Sequence, residues 1–252
     1  MRGRLSLLIL TGALAAGCTS QGTVGPAPGA GSGPGASTGS HSSATGAPTS
    51  GSSPSGTASG SQTGGGSVPG EDATVVVGTG KVKVTIYEDY RCPPCKAVHD
   101  QLQPVINAKL AAAGIQVEYH AVDLVDHSGS GGKGSLAAAN AASCAFQAAK
   151  FQPYREALFA AQPADETVDA FADPAKLISV AQTVPGLDSP TFEACVRTQP
   201  FAGSIENTYT AEFASNKMQG VPSVLINGTQ WPVPSSGDLA TAFKQALAAA
   251  GA

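Results

Sequence analysis

The chain has 252 residues, with 14 Lys and Arg against 18 Asp and Glu and a formal charge of −4. No basic cluster accompanies that balance, which argues against a nucleic-acid partner. No internal repeat is present, and the length beyond the low-complexity N-terminal third suits one domain.

At the N-terminus, Arg2 and Arg4 precede an apolar run from Leu5 to Leu10 that continues to Leu14. Positive charge before a short apolar stretch is the pattern of a secretory signal, and the stretch is too short to span a bilayer comfortably. It ends in Leu14-Ala15-Ala16-Gly17-Cys18. This resembles the bacterial lipoprotein signal, in which small residues precede a cysteine that is lipidated and becomes the new N-terminus. Ala15 stands where that pattern usually has Leu, so plain secretion stays open. Residues 1–17 are expected to be a signal peptide, and Cys18 to carry lipid. The expected location is the extracytoplasmic face of the cell membrane, reached through an anchor to which each buried methylene contributes about 0.8 kcal/mol. Residues 19–70 are nearly all Gly, Ser, Thr, Ala and Pro, with no acidic residue, Lys or Arg. Such a segment has too little apolar bulk to offset its ordering entropy and reads as a flexible tether. His41 is a solitary polar residue within it.

Residues 71–252 carry the structural signals. "KVKVTIYE" (81–88) alternates and is rich in β-branched residues, which predicts a strand. From Cys92 to Gly114 the pattern is helical. Pro93 and Pro94 suit a first turn, Pro104 predicts a kink, and Gly114 is a stop signal. Residues 115–124 read as a second strand. "GSGGKGS" (129–135) superficially suggests a phosphate loop, but Gly134 follows Lys133 where Ser or Thr is required, so it reads as a flexible loop. Helical segments are expected at 135–150, 153–161, 173–183, 189–198 and 202–217. "GVPSVLING" (220–228) predicts a strand ending in the Asn-Gly hairpin signal. That turn explains Asn227-Gly228-Thr229 better than glycosylation does. "TQWPV" is the return strand, with Pro232 favouring an edge. Trp231 and Phe201 suit core or groove wall. Ser236 or Asp238 can cap a final helix through Ala249. The order implies an α/β sheet with helices on both faces and a helical insertion at about 135–217.

Five cysteines are present: Cys18, Cys92, Cys95, Cys144 and Cys195. With Cys18 lipidated, four remain, in a compartment where disulfides persist. Pairing Cys92 with Cys95 leaves Cys144 for Cys195, a staple between two helices; the alternative is that both are free buried thiols. Cys92-Pro93-Pro94-Cys95 sits where the first long strand meets its helix. Haem attachment fails because Lys96, not His, follows Cys95. Structural zinc fails because there is no second Cys pair and the histidines lack ligand spacing. Redox exchange fits. At a helix N-terminus the free N–H groups and dipole favour a thiolate, here at Cys92, with Cys95 one turn in and more shielded. Neither proline can donate an N–H to that thiolate. The Cys95 and Lys96 amides remain, and the Lys96 ammonium can add field. Exchange would run through a mixed disulfide at Cys92, without metal or other cofactor beyond the Cys92–Cys95 bond.

Strand, CPPC, helix, long helical insertion and "GVPSVLING" together resemble the DsbA-like thiol–disulfide oxidoreductases of thioredoxin fold, over roughly residues 81–252. "YEDYRCPPC" is similar to their active-site motif, and "AASCAFQAAKFQPYREALF" to a helix of their inserted domain. The resemblance implies that Cys92 is the nucleophile and Cys95 the resolving cysteine. It implies a cis Val221–Pro222 bond facing Cys92, whose backbone binds an extended substrate peptide by strand addition. Members often carry a buried acid six residues before the first cysteine; here that residue is Ile86. Proton transfer to Cys95 is then left to water, Glu88 or Asp89, unless those two lie in a solvated turn. His99, one turn beyond Lys96, could sit near the site but reads more readily as a surface helix residue. Val before the proline resembles the oxidase branch. The implied partners are cysteine-containing exported proteins and a membrane redox partner. A reductase or isomerase, or a non-catalytic binding module of the same fold, stays open.

Overall fold

The computed structural model describes residues 73–252. The signal peptide, Cys18, the tether and His41 lie outside the described residues. Five strands form one mixed sheet: β1 (Val75–Gly78), β2 (Val82–Glu88), β3 (Ile115–Ala121), β4 (Ser223–Ile226) and β5 (Thr229–Trp231). Their order across the sheet is β1-β3-β2-β4-β5. β2 and β3 run parallel, with Ile86 opposite Tyr119 and Glu88 opposite Ala121. The other pairs are antiparallel. β1 had no counterpart in the sequence reading. Its four residues, Val75-Val76-Val77-Gly78, pair on the outer side of β3.

Between β2 and β3 runs α1 (Pro93–Ala111), the crossover that parallel strands require. It runs unbroken past Pro104. Pro104 and Asp100 are both exposed, so the Asp100 carbonyl that loses its donor lies on the solvent side. The inner face of α1 buries Cys95, His99, Leu102 and Ile106, at helical spacing. Between β3 and β4 come α2 (Gly134–Gln147), α3 (Phe151–Ala160), α4 (Pro174–Ala181), α5 (Pro190–Thr198) and α6 (Ala202–Ala214). The chain closes with α7 (Leu239–Ala249), which packs beside α1.

Local chemistry explains the helix ends. Asp173 accepts from the Ala175 amide, Ser189 from Phe192 and Asp238 from Thr241, and prolines open α1, α4 and α5. At the hairpin, Asn227 and Gly228 take φ of 48° and 79°, the left-handed conformation that a two-residue turn demands. α2 is nearly all small residues, of which Ala138, Ala139, Ala141 and Ala145 are fully buried. Small side chains let it pack in the middle of the insertion, against α3, α5 and α6. One sheet face meets α1 and α3; the other carries Tyr87, Val122 and Leu225 against Met218 and Tyr209 of the α6 region.

Cys144 of α2 and Cys195 of α5 are bonded, with Cα atoms 6.0 Å apart and a sequence separation of 51. Closing a loop of that length restricts the unfolded chain by about 4 kcal/mol in the chain-entropy model. The Cys144→Ala/Cys195→Ala variant is therefore expected to lose about that much stability in denaturant titration, with the sheet strands retained by circular dichroism.

Candidate active site

The site begins at the C-terminal end of β2. Glu88, Asp89, Tyr90 and Arg91 are all buried, so the solvated turn considered from the sequence is not what forms here. Asp89 organises it. Its Oδ1 accepts from the Arg91 amide and the Ser135 hydroxyl, both at 2.8 Å, and its Oδ2 accepts from the Val125 amide at 2.8 Å. The carboxylate thus ties the turn to the start of α2. Burial, working against those three hydrogen bonds, pushes the Asp89 carboxyl up to about 6.

Arg91 holds the next shell of chain in place. Its guanidinium donates to Asp126 Oδ1 (2.6 Å), Gly131 O (2.7 Å) and Glu166 O (2.7 Å), and lies 3.2 Å from Asp169 Oδ1. Asp169 in turn accepts from the Lys133 and Gly134 amides. The glycine-rich loop, expected to be flexible, is pinned from both sides. A Cβ at Gly134 would stand 2.2 Å from Asp169 Oδ1, so glycine here serves close approach rather than freedom.

Cys92 is the N-cap of α1 and is 7 % exposed; Cys95, within the first turn, is 2 % exposed. Both are thiols in this structure. The Cys92 thiol is lowered, first by the Cys95 side chain donating to its sulfur and then by the Cys95 amide, against burial and the nearby Asp89 and Glu166 carboxylates. Cys95 is raised well above an ordinary thiol, chiefly by burial and by its bond to Cys92, with the Asp89 amide acting in the opposite sense. The pair is therefore asymmetric: an acidic outer sulfur and a protonated inner one.

Two expectations about this turn are corrected. The Lys96 ammonium does not face Cys92; it pairs with Asp100, one turn along α1, at 2.9 Å. The Lys96 amide closes the helix on the Cys92 carbonyl at 3.2 Å. In front of Cys92 stands the Val221–Pro222 segment, whose peptide bond is cis. Val221 O lies 3.8 Å from Cys92 Sγ. Gln162, just after α3, donates to the carbonyls of Tyr90 (2.7 Å) and Cys92 (3.1 Å), so the insertion touches the site directly.

Behind Cys95 is a buried ionic cluster that sequence reading missed. Arg155 of α3 grips Glu88 in a fork, Nε to Oε1 at 2.6 Å and Nη2 to Oε2 at 2.5 Å. Its Nη1 donates to His99 Nδ1 at 2.9 Å and to Gln103 Oε1 at 2.5 Å. The guanidinium also lies over the Tyr119 ring, 4.6 Å from its centroid. His99 is buried rather than on the surface, with its ring stacked on Phe159 at 4.5 Å. Ile86 and Glu88, two apart on one face of β2, both line a cavity of about 10 Å³ with Cys95 and His99. No acid stands at Ile86, and the carboxylate of Glu88, two residues later on the same face, is held by Arg155. Glu88 shares a cavity with Cys95, whereas the Asp89 carboxylate is committed to the frame of the turn. Among the described residues, no group of three or more His, Cys, Asp or Glu gathers as metal ligands.

A thioredoxin family model matches residues 71–243. Disulfide bond formation protein D of Bacillus subtilis (strain 168) is 27% identical over 156 residues, 60% of this chain and 67% of that protein. Reduced DsbA from Mycobacterium tuberculosis superposes with a TM-score of 0.58 at 23% identity, covering 69% of this chain and 90% of that one. Oxidised BdbD from Bacillus subtilis superposes with a TM-score of 0.58 at 21% identity, covering 73% and 97%. The structural likenesses establish the fold.

Two outcomes follow from the buried cluster. Arg155→Met leaves the Glu88 carboxylate buried without its partner, and is expected to lose about 3–5 kcal/mol in denaturant titration. His99 is held down to about 3, by burial first and by Arg155 second. The unfolded ring binds its proton near pH 6.5, so its share of stability is present above that pH. It is lost as pH falls from about 6.5 toward 3, because only the unfolded state protonates over that window. Stability-against-pH curves should show that loss in the wild type and a shallower one in His99→Gln.

Proposed function

The chain belongs to the thioredoxin family and has the DsbA-like architecture its sequence resembles; from that premise we propose that it is a protein disulfide oxidoreductase working through Cys92-Pro93-Pro94-Cys95. The observation that carries this reading is the asymmetry of the pair. The outer sulfur is acidified at a helix N-cap, and the inner one is protonated and shielded directly behind it. In the proposed oxidising direction, a substrate thiolate attacks Cys92 Sγ of the Cys92–Cys95 disulfide. That bond breaks, the electron pair passes to Cys95 Sγ, and Cys95 takes a proton. A second substrate thiolate then attacks the mixed disulfide, releasing Cys92 as thiolate and the substrate as disulfide. The sulfurs carry the electrons, and no further cofactor takes part. The Val221 backbone, in front of Cys92, offers an edge for an extended substrate segment.

Direction follows from the same asymmetry. A stabilised Cys92 thiolate favours the reduced enzyme, which makes the disulfide form a better oxidant. The proposed clients are cysteine-containing exported proteins, with a membrane redox partner to restore the disulfide. The proposed setting is the extracytoplasmic membrane face, with Cys18 lipidated and residues 19–70 as tether, or secretion if Cys18 is not lipidated. No helix among the described residues is long and apolar enough to cross a membrane.

Two measurements on one preparation test this. Equilibration with glutathione at defined ratios should place the Cys92–Cys95 couple above about −230 mV, toward known oxidants, whereas a value near −270 mV would make it a reductant. In insulin reduction with dithiothreitol, Cys92→Ser should be inactive. Equal rates in wild type and Cys92→Ser would leave only a binding module.

A further inference from the structure

Pro93 and Pro94 leave the first turn of α1 without two of its N–H groups. The Cys95 amide is the backbone donor that reaches the Cys92 sulfur. That amide has a competing use, since it also donates to the Cys92 carbonyl at 3.1 Å. The same carbonyl takes the Lys96 amide at 3.2 Å and a third donor, Gln162 Nε2, at 3.1 Å. A carbonyl oxygen has two lone pairs, so three donors cannot all be met in full. Gln162 comes from outside the helix, just past α3, and its own amide bonds back to the Phe159 carbonyl at 3.3 Å, so the end of α3 sets its place. Its Nε2 also donates to the Tyr90 carbonyl at 2.7 Å. Both contacted atoms are acceptors, which puts the NH2 end of the carboxamide, and not its oxygen, against the turn. The half-buried side chain is thus held at two points, on either side of Arg91.

We propose that Gln162 is a positioning residue for the nucleophile: by occupying the Cys92 carbonyl, it releases the Cys95 amide to donate to Cys92 Sγ whenever that sulfur carries negative charge. The step it serves is the one in which the mixed disulfide breaks and its electron pair returns to Cys92. The charge then lands on a residue that is 7 % exposed, where a thiolate needs donors. The charged groups around it do not supply them. Asp89, in the turn after β2, and Glu166, in the insertion, both oppose a thiolate, and Lys96 of α1 is paired with Asp100. Neutral donors close to the sulfur therefore decide its charge. With Gln162 on the carbonyl, the Cys95 amide exchanges an ordinary hydrogen bond for a charge-assisted one about twice as strong, and the carbonyl stays satisfied. Without Gln162 the carbonyl reclaims that amide and the thiolate loses it. Gln162 touches no reacting atom; it conveys the position of the helical insertion to the outer sulfur.

This inference rests on the disulfide-exchange reading, and its test separates the two. Gln162→Met keeps the length of the side chain and loses both donors. In the reduced variant, the pH profile of Cys92 alkylation should move up by about one unit. At fixed pH on its rising limb the rate should be about threefold lower, because a less acidic thiolate is also more nucleophilic. The reduced pair should lose about tenfold in stability against the disulfide, which lowers the potential by about 30 mV in glutathione equilibration. A purely structural role, satisfying the Tyr90 carbonyl, would lower stability in denaturant titration and move neither readout. An unchanged profile and potential in folded Gln162→Met therefore sinks the inference. Wild-type protein gives a second test without mutation. In nitrogen-labelled reduced protein, the Cys95 amide proton should move downfield as Cys92 ionises, and a Cys95 amide signal indifferent to that ionisation would overturn the inference. Alkylation and NMR read the Cys92 thiol whether or not disulfides are exchanged, and insulin reduction reads the exchange itself, so failure there and failure here are distinguishable.

Discussion

A guanidinium cannot be buried cheaply, and the fork between Arg155 and Glu88 is the constraint around which this site is built. Both side chains are shut away from water. Removing such charges from solvent costs several kcal/mol each unless geometry and hydrogen bonds make it good. Here they do: Glu88 takes two donors, His99 and Gln103 take a third nitrogen between them, and the Tyr119 ring faces the cation. Those partners come from β2, α1 and β3, while Arg155 comes from α3. One side chain therefore fixes four elements relative to each other, directly beneath Cys95. The helical insertion is a structural wall of the site rather than an appendage.

Arg91 does the corresponding work on the other side. It precedes Cys92 and draws in Asp126, Gly131 and the Glu166 backbone. Between the two arginines, Asp89 holds the turn through its carboxylate and the Cys92 amide through its carbonyl, at 3.1 Å. The backbone around the two sulfurs is thus gripped from above and below. In a frame of this kind the protonation of two thiols changes without the chain having to move, which suits repeated oxidation and reduction at one place.

What the sequence made legible was local. Alternation in "KVKVTIYE", prolines at helix starts, the Asp and Ser caps and the Asn-Gly turn each act within a few residues, so each leaves a readable mark. The Cys pair is readable for the same reason. The missing pieces are long-range or depend on context. The Glu88–Arg155 pair joins positions 67 residues apart, and nothing in spacing announces it. His99 reads as surface because α1 carries polar residues on several sides; only Arg155, arriving from α3, makes its burial affordable. Ile86 leaves a vacant acid position in the motif, but strand alternation puts Glu88 on the same face one step further on. Glycines at 132 and 134 looked like slack in a loop, whereas Asp169 and Arg91 occupy the space a side chain would need. β1 is four residues bounded by glycine, too short to stand out until β3 offers it an edge.

The two prolines between the cysteines set a limit on the electrostatics. With an N–H at either position, Cys92 would have further donors; with none, the sulfur depends on the Cys95 thiol and the Cys95 amide, and the amide is shared with the Cys92 carbonyl. Stabilisation of the Cys92 thiolate therefore leans on the inner cysteine retaining its proton. Burial of Cys95 and acidity of Cys92 are two ends of one hydrogen bond, and neither changes without the other. For a two-electron couple, each tenfold gain in stability of the reduced pair corresponds to about 30 mV of oxidising power. A donor that eases negative charge onto Cys95 speeds opening of the disulfide but also loosens the proton that Cys92 relies on.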